Sequence, residues 1–182
     1  MRGDAISTMI ERRYDAVHGA RPNLDYPLFR SRLTGGKVSA ALGYRRADRE
    51  RLFLEAYLDG PIEAALADRL GRSFDRHEIV EIGNMASENA LAMIGLWAEA
   101  ANDLGGEAEI AVAVLTAPLR AMFRRLGLSL HEIAPASPER LGAAAADWGQ
   151  YYRLDPIICA GFIAEGQQCL ARMANRRIRA CA

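Results

Sequence analysis

Lysine is nearly missing from this chain: of 23 lysine and arginine residues, only Lys37 is a lysine. Schiff-base chemistry needs a lysine held in a pocket that lowers its pKa. The one candidate follows Gly35-Gly36, the setting of a turn. Cysteine is scarce as well. Cys159, Cys169 and Cys181 lie in the last quarter without paired spacing, which suits reduced thiols rather than a disulfide framework and implies no metal site. The three histidines are scattered and complete no Ser-His-Asp or Cys-His arrangement. Net charge is absent too, because 23 acidic residues balance the 23 basic ones and the pI is near 6.8. No overall basic field recruits nucleic acid or an anionic membrane, so a charged partner must be met by a local patch. The longest uncharged runs, residues 110–119 and 156–164, fall short of the roughly 20 residues that span a bilayer. The start of the chain lacks the apolar core and small-residue cleavage site of a secretory signal. The expectation is a cytoplasmic protein with no transmembrane segment.

The 182 residues that are there read as one domain, 1–182, with an N-terminal helix over 1–20 and a C-terminal helix and tail over 165–182. Apolar positions Ile6, Met9, Ile10, Tyr14 and Val17 recur at helical spacing over residues 5–18. Residues 28–33 and 38–44, around the Gly35-Gly36 turn, predict a β-hairpin. Residues 52–57 read as a third strand, and Pro61 opens a helix that runs to Leu70 and closes at Gly71. After the strand at 79–83, Ser87 is placed to cap a helix over 88–104 that buries Leu91, Ile94, Ala98 and Ala101. The continuous apolar run 110–115 predicts a strand covered on both faces, followed by a short helix from Pro118 to Leu126 with Gly127 past its end. A strand over 128–133, a helix from Ser137 to Ala146 and a last strand over 157–163 complete the pattern. Helices and strands alternate after an opening hairpin, so the class is α+β with a mixed sheet.

Within that pattern one residue stands against its surroundings. The stretch His77-Glu-Ile-Val-Glu-Ile-Gly-Asn-Met-Ala-Ser87 sends Ile79, Glu81 and Gly83 to one face of a strand, and a carboxylate there meets a largely dry layer. Burying it costs several kcal/mol unless it is paired, protonated or used. On position alone a core salt bridge to an arginine and a catalytic role are both open.

Four phrases occur in a fixed order: YLDGPIE at 57–63, IVEIGNMAS at 79–87, LTAPLRAMFRRLGL at 115–128 and WGQYY at 148–152. In that order the chain resembles the bacterial thermostable haemolysin family, over residues 44–161. That family is similar to the GNAT-like N-acyltransferase fold and, in layout, to the acyl-homoserine-lactone synthases. The resemblance implies a central mixed twisted β-sheet flanked by helices, with residues 79–83 as the central fourth strand and 110–115 as the fifth. It also implies that these two strands splay apart and admit the thioester arm of an acyl donor. The lactone synthases carry a glutamate, a serine and an arginine on this strand. Here Glu81 holds the glutamate position, and Ile82, Gly83 and Asn84 follow. Acyl-CoA-dependent members of the wider fold place a glycine-rich loop after the strand to hold pyrophosphate. This chain has Ser87-Glu88-Asn89-Ala90-Leu91-Ala92 there, without glycine and with an added negative charge. An acyl-carrier-protein phosphopantetheine arm is therefore at least as plausible a donor as a coenzyme A thioester.

Acyl transfer from a thioester needs a group to take the nucleophile's proton and donors for the oxyanion. Glu81 is the candidate base, its pKa raised by desolvation among isoleucines. Backbone groups around Gly83, Asn84, Met85 and Ala86 are candidates for the oxyanion and donor site, because glycine there permits a bulge, although tight packing explains Gly83 as well. Thr116 is either a wall of the same crevice or a cap for the Pro118 helix. Arg45 and Glu55 either pair with each other or bind a carboxylate of the acceptor. Arg120, Arg124 and Arg125 form a positive helical face that is either suited to an acidic carrier protein or simply solvated. Met93, Trp148 and Tyr151 are candidates for the acyl pocket, with Met85 and Met122 as further flexible lining. The resulting expectation is an N-acyltransferase that moves a fatty acyl group to a small amine such as an amino acid. A membrane-damaging protein and a non-catalytic acyl-binding protein are the alternatives.

Overall fold

The computed structural model describes residues 2–180; Cys181 and the end of the expected tail lie outside the described residues. Its elements run α1 (Arg2–His18), β1 (Leu28–Thr34), β2 (Lys37–Arg46), α2 (Ile62–Leu70), β3 (Ile79–Ser87), α3 (Ala90–Leu104), β4 (Ile110–Leu115), α4 (Ala117–Arg125), β5 (His131–Pro135), β6 (Ile157–Phe162) and α5 (Ile163–Ala180). The strands form a six-stranded sheet in the order β1-β2-β3-β4-β6-β5. Only the central β3–β4 pair is parallel; the others are antiparallel. The sheet is mixed, as alternation and the hairpin predict.

Alternation along the strands divides the core into two layers. Ala41 and Ala86 meet Ile6, Met9 and Ile10 of α1, while Ile79, Val112 and Ile158 pack with Leu54, Ile62 and Leu66 on the same side of the sheet. Val80, Ala40 and Leu42 face the other way, onto α3 and α5 through Leu96, Trp97, Leu104, Ile163 and Leu170. The buried face of α3 is Met93, Leu96, Trp97, Ala100 and Leu104, and Leu91 is 56% exposed. That corrects the expected face. The helix is apolar nearly all round, so spacing alone does not select which stripe turns inward. Its cap is also displaced: Ser87 ends β3, and Asn89 accepts the Ala92 N–H at 2.9 Å.

Three further expectations are corrected. Residues 52–57 do not form a strand; Phe53–Tyr57 is a 3-10 turn, closed by Glu55 N–H to Leu52 C=O and Leu58 N–H to Glu55 C=O. Its N–H groups bond to carboxylates instead of a neighbouring strand, so the strands expected as fourth and fifth are here β3 and β4. The strand expected over 128–133 begins at His131, because Gly127 (φ 76°) and Leu128 donate back to Arg124 and Phe123 carbonyls and finish α4. The helix expected from Ser137 is a run of 3-10 turns, Pro138–Trp148, broken at Gly142, whose φ of 57° no helix contains.

Glu55 is buried, and its carboxylate joins its own turn to α2 and to Arg76. It accepts the Leu52 and Ile62 N–H groups at 2.9 Å each and pairs with Arg76 at 2.8 Å. Burial raises the pKa of its carboxyl, but the Arg76 bond and the backbone N–H groups outweigh it and hold the net value below the ordinary range. The expected Arg45–Glu55 pair is not formed, because the 3-10 turn aims Glu55 at Arg76. Replacing Glu55 by alanine leaves the Leu52 and Ile62 N–H groups without an acceptor and takes one of its two carboxylate partners from Arg76, which keeps Glu63, and should destabilise the fold by about 3 kcal/mol. Urea unfolding measures this, and a loss under about 1 kcal/mol contradicts it.

Candidate active site

Glu81 is 2% exposed. Its two carboxylate oxygens accept the N–H groups of Phe53 (2.7 Å) and Leu54 (3.0 Å), the first residues of the 3-10 turn. The Tyr26 hydroxyl lies on the same cavity and favours the charged form, and Arg45 Nε stands 3.7 Å away, within ion-pair range but making no hydrogen bond. Burial pushes the Glu81 carboxyl from 4.5 up to about 7, against the two backbone N–H groups, Arg45 and Tyr26, which all favour the charged form. The site thus holds a carboxylate that changes charge near neutral pH.

Tyr26 reaches Glu81 because two glycines make room for it. Gly43 and Gly83 are cross-strand partners in β2 and β3, and the tyrosine lies over both. A Cβ on Gly83 would stand 1.9 Å from the Tyr26 hydroxyl, and one on Gly43 would stand 2.6 Å from its ring. Tight packing therefore explains Gly83. The bulge falls one residue later, where the β2–β3 register shifts and Asn84 has φ 49°. This extra residue reverses the alternation, so Ala86 joins the α1 layer while Met85 turns toward α3. Asn84 is buried and donates its side-chain amide to the Asn23 carbonyl at 2.9 Å.

β3 and β4 pair only from Ile79↔Ile110 to Glu81↔Val112. Beyond that both strands continue without pairing, so the sheet opens next to the carboxylate. Three cavities meet around the opening. A cavity of about 40 Å³ lies against Glu81, with Tyr14, Tyr26, Phe53, Tyr57, Trp148 and Tyr151 as aromatic walls and Arg45 and Asn84 among the polar ones. An apolar cavity of about 120 Å³ lies on the opposite face between β4, β6, α3 and α5, where Ala100, Ala111, Ala113, Gly161 and Gly166 leave space. A third, of about 240 Å³, opens between α1, the end of β3 and α4, lined by Arg13, His18, Ser87, Met93, Thr116 and Met122. Met85 lines all three, and Ile82 lines the first two.

The structure brings Glu81, Gly83, Asn84, Met85, Arg45, Trp148 and Tyr151 to one cavity. Ala86, Thr116 and Met93 line the third cavity instead, and Thr116 stands at the N-cap of α4 without a side-chain cap bond. None of Met93, Trp148 and Tyr151 lines the apolar cavity. Glu55 faces a separate surface groove. The three arginines do not share an open face. Arg120 is buried and bonds to the Leu115 carbonyl (2.7 Å) and the Asp155 carboxylate (2.6 Å), Arg124 pairs with Glu132, and Arg125 is exposed. Sequence reasoning missed Tyr26, the Phe53 and Leu54 N–H groups and the small residues of the apolar cavity. Glycines facing each other on adjacent strands, and alanines repeated on β4, are the signals that carried them.

The family model for Thermostable hemolysin matches residues 2–167. This chain belongs to the thermostable haemolysin family. No curated protein matches the sequence. Similar solved structures include TofI in a ternary complex with an inhibitor and MTA, at 17% identity and TM-score 0.62, covering 94% of this chain and 91% of that one. FeeM, an N-acyl amino acid synthase from uncultured soil microbes, is similar at 13% identity and TM-score 0.59, covering 92% and 94%. BjaI, a CoA-dependent acyl-homoserine lactone synthase, with SAM and isopentyl-CoA, is similar at 12% identity and TM-score 0.60, covering 94% and 82%. The haemolysin family member thus has the GNAT-like fold of these proteins. Among the described residues no cluster of metal-ligating side chains occurs, and no helix is long and apolar enough to cross a membrane.

The raised Glu81 pKa fixes a sign for stability. The unfolded carboxyl titrates near 4.5 and the folded one near 7, so its contribution is fully present below about 4.5 and is lost as pH rises through 7. Between those limits the wild type should lose up to about 3 kcal/mol more than Glu81→Gln. Denaturant melts across this pH range provide the measurement, and parallel pH profiles for the two proteins exclude the shift.

Proposed function

We propose that this protein is an N-acyltransferase that passes an acyl group from a pantetheine thioester to a small amine, an amino acid being the favoured class. The single observation that carries the reading is the opening of the β3–β4 pair at Glu81, with an apolar cavity behind it. The thioester arm lies in the cavity between α1 and α4, its carbonyl beside Glu81, and the alkyl chain passes Met85 into the apolar cavity. Glu81 accepts a proton from the attacking amine as the N–C bond forms. The C–S bond then breaks, and the departing thiolate takes up the proton. Backbone N–H groups of β3 beyond Glu81, released from pairing with β4, are the candidate oxyanion donors. Arg45 is the candidate partner for an acceptor carboxylate. Carrier-protein and coenzyme A thioesters are both compatible donors, and a cytoplasmic location belongs to the same proposal. The likeness to FeeM, an N-acyl amino acid synthase, supports the acceptor class.

Mass spectrometry of amide formation, with acyl-carrier-protein and acyl-CoA donors against a panel of amino acids and amines, tests the activity. Glu81→Gln should lower kcat by roughly 10²–10⁴-fold, and the wild-type rate should rise with pH through 7 as the base ionises. An unchanged kcat in Glu81→Gln removes this residue from the chemistry. Thioester binding without turnover on any acceptor leaves the acyl-binding alternative in its place.

The small residues of the apolar cavity set the chain it accepts. Filling the space with Ala113→Phe should move the preferred donor to shorter acyl chains, with little change for the shortest donor that is turned over. A chain-length series of donors checks this, and uniform loss across the series contradicts the assignment of the cavity.

A further inference from the structure

The cavity between α1 and α4 differs in charge from the one at Glu81. Its polar lining is Arg13, His18, Ser87 and Thr116, and no carboxylate lines it. Arg13 is half-buried and has no ion-pair or hydrogen-bond partner among the described residues, although its neighbour Arg12 is paired with Glu88. His18 Nδ1 is buried without a hydrogen-bond partner. Thr116 makes no cap bond to α4. An unpartnered guanidinium on a cavity that no carboxylate lines, with the Ser87 and Thr116 hydroxyls on the same cavity, favours an anion.

The usual place for a phosphate, the N-terminus of the helix after β3, is partly taken by the chain itself. Asn89 Oδ1 takes the Ala92 N–H, the Glu88 N–H bonds to the Ser39 carbonyl, and the Glu88 carboxylate adds a negative charge. A phosphate there would meet repulsion where other helices offer free donors. Ser87 is six residues beyond Glu81, somewhat less than the roughly 20 Å that six extended residues span because of the bulge at Asn84, which is within the reach of an extended pantetheine arm.

We propose that Arg13, assisted by His18, Ser87 and Thr116, binds the phosphate at the end of the pantetheine arm, so that α1 rather than the N-terminus of α3 supplies the phosphate site. The proposal rests on the reading of the opened β3–β4 cleft as a thioester channel. The phosphate belongs to the arm whether the arm is carried by a protein or by coenzyme A. The guanidinium forms two parallel bonds to phosphate oxygens, a geometry that lysine reproduces only in part.

Calorimetry with pantetheine, 4′-phosphopantetheine and coenzyme A, on wild type, Arg13→Gln and Arg13→Lys, tests it. The phosphate should tighten binding about tenfold or more in the wild type. Arg13→Gln should abolish that gain while leaving the affinity for pantetheine unchanged, and Arg13→Lys should keep part of it. Equal binding of pantetheine and 4′-phosphopantetheine to the wild type, or a gain that persists in Arg13→Gln, overturns the phosphate site alone. Failure of all three compounds to bind overturns the channel as well as the site. With the site upheld, a further gain from 4′-phosphopantetheine to coenzyme A assigns the nucleotide-bearing donor, and equal affinity assigns the carrier-protein arm.

Discussion

The carboxylate of Glu81 holds the centre of the molecule together by accepting two backbone N–H groups from a turn that is distant in sequence. Phe53 and Leu54 donate to it from the 3-10 turn, across the sheet layer in which Glu81 is buried. A turn with free N–H groups buried against an apolar sheet would be costly, and so would a carboxylate in the same place. Each satisfies the other. The turn in turn is held by the second buried carboxylate, Glu55, so two acidic side chains organise a segment that never joins the sheet. Because the carboxylate is still short of solvent, its charge is poised rather than fixed, which is the property the proposed role in proton transfer needs.

Around that anchor, backbone irregularities do what side chains alone do not. Gly43 and Gly83 clear a trough in which the Tyr26 ring lies, and Asn84 adds a residue to β3. The extra residue moves Met85 to the wall shared by all three cavities, at the level where β3 and β4 have separated. The parallel pair is held by short register on one side of Glu81 and released on the other. Polar side chains thereby line a cavity on one face of the sheet and apolar ones a cavity on the other, with the gap between two strands separating them.

The family likeness carried the fold further than the pattern of apolar residues did. The hairpin, the helices closed by Gly71 and Gly127, and the strands at Ile79 and Ile110 follow from local signals that each element satisfies by itself. Residues 52–57 misled because an apolar segment with one glutamate reads equally as a strand or as a turn. Only the arrival of Arg76 and the N–H of Ile62 at Glu55 decides which forms. Arg120 misled in the same way: helical spacing groups it with Arg124 and Arg125, whereas Asp155, far along the chain, draws it inward.

The sequence by itself determined that a carboxylate would sit in a dry layer, because alternation in a β-branched run depends on neighbours only. It also determined the α+β class, since the order of helical and strand patterns depends on composition and spacing. Tertiary structure decided which groups neutralise the carboxylate, where the sheet parts and which small residues face one another across empty space. Those outcomes depend on contacts between segments 28 to 95 residues apart, such as Phe53 with Glu81 and Tyr57 with Tyr152, and no local pattern encodes the distance at which such segments meet.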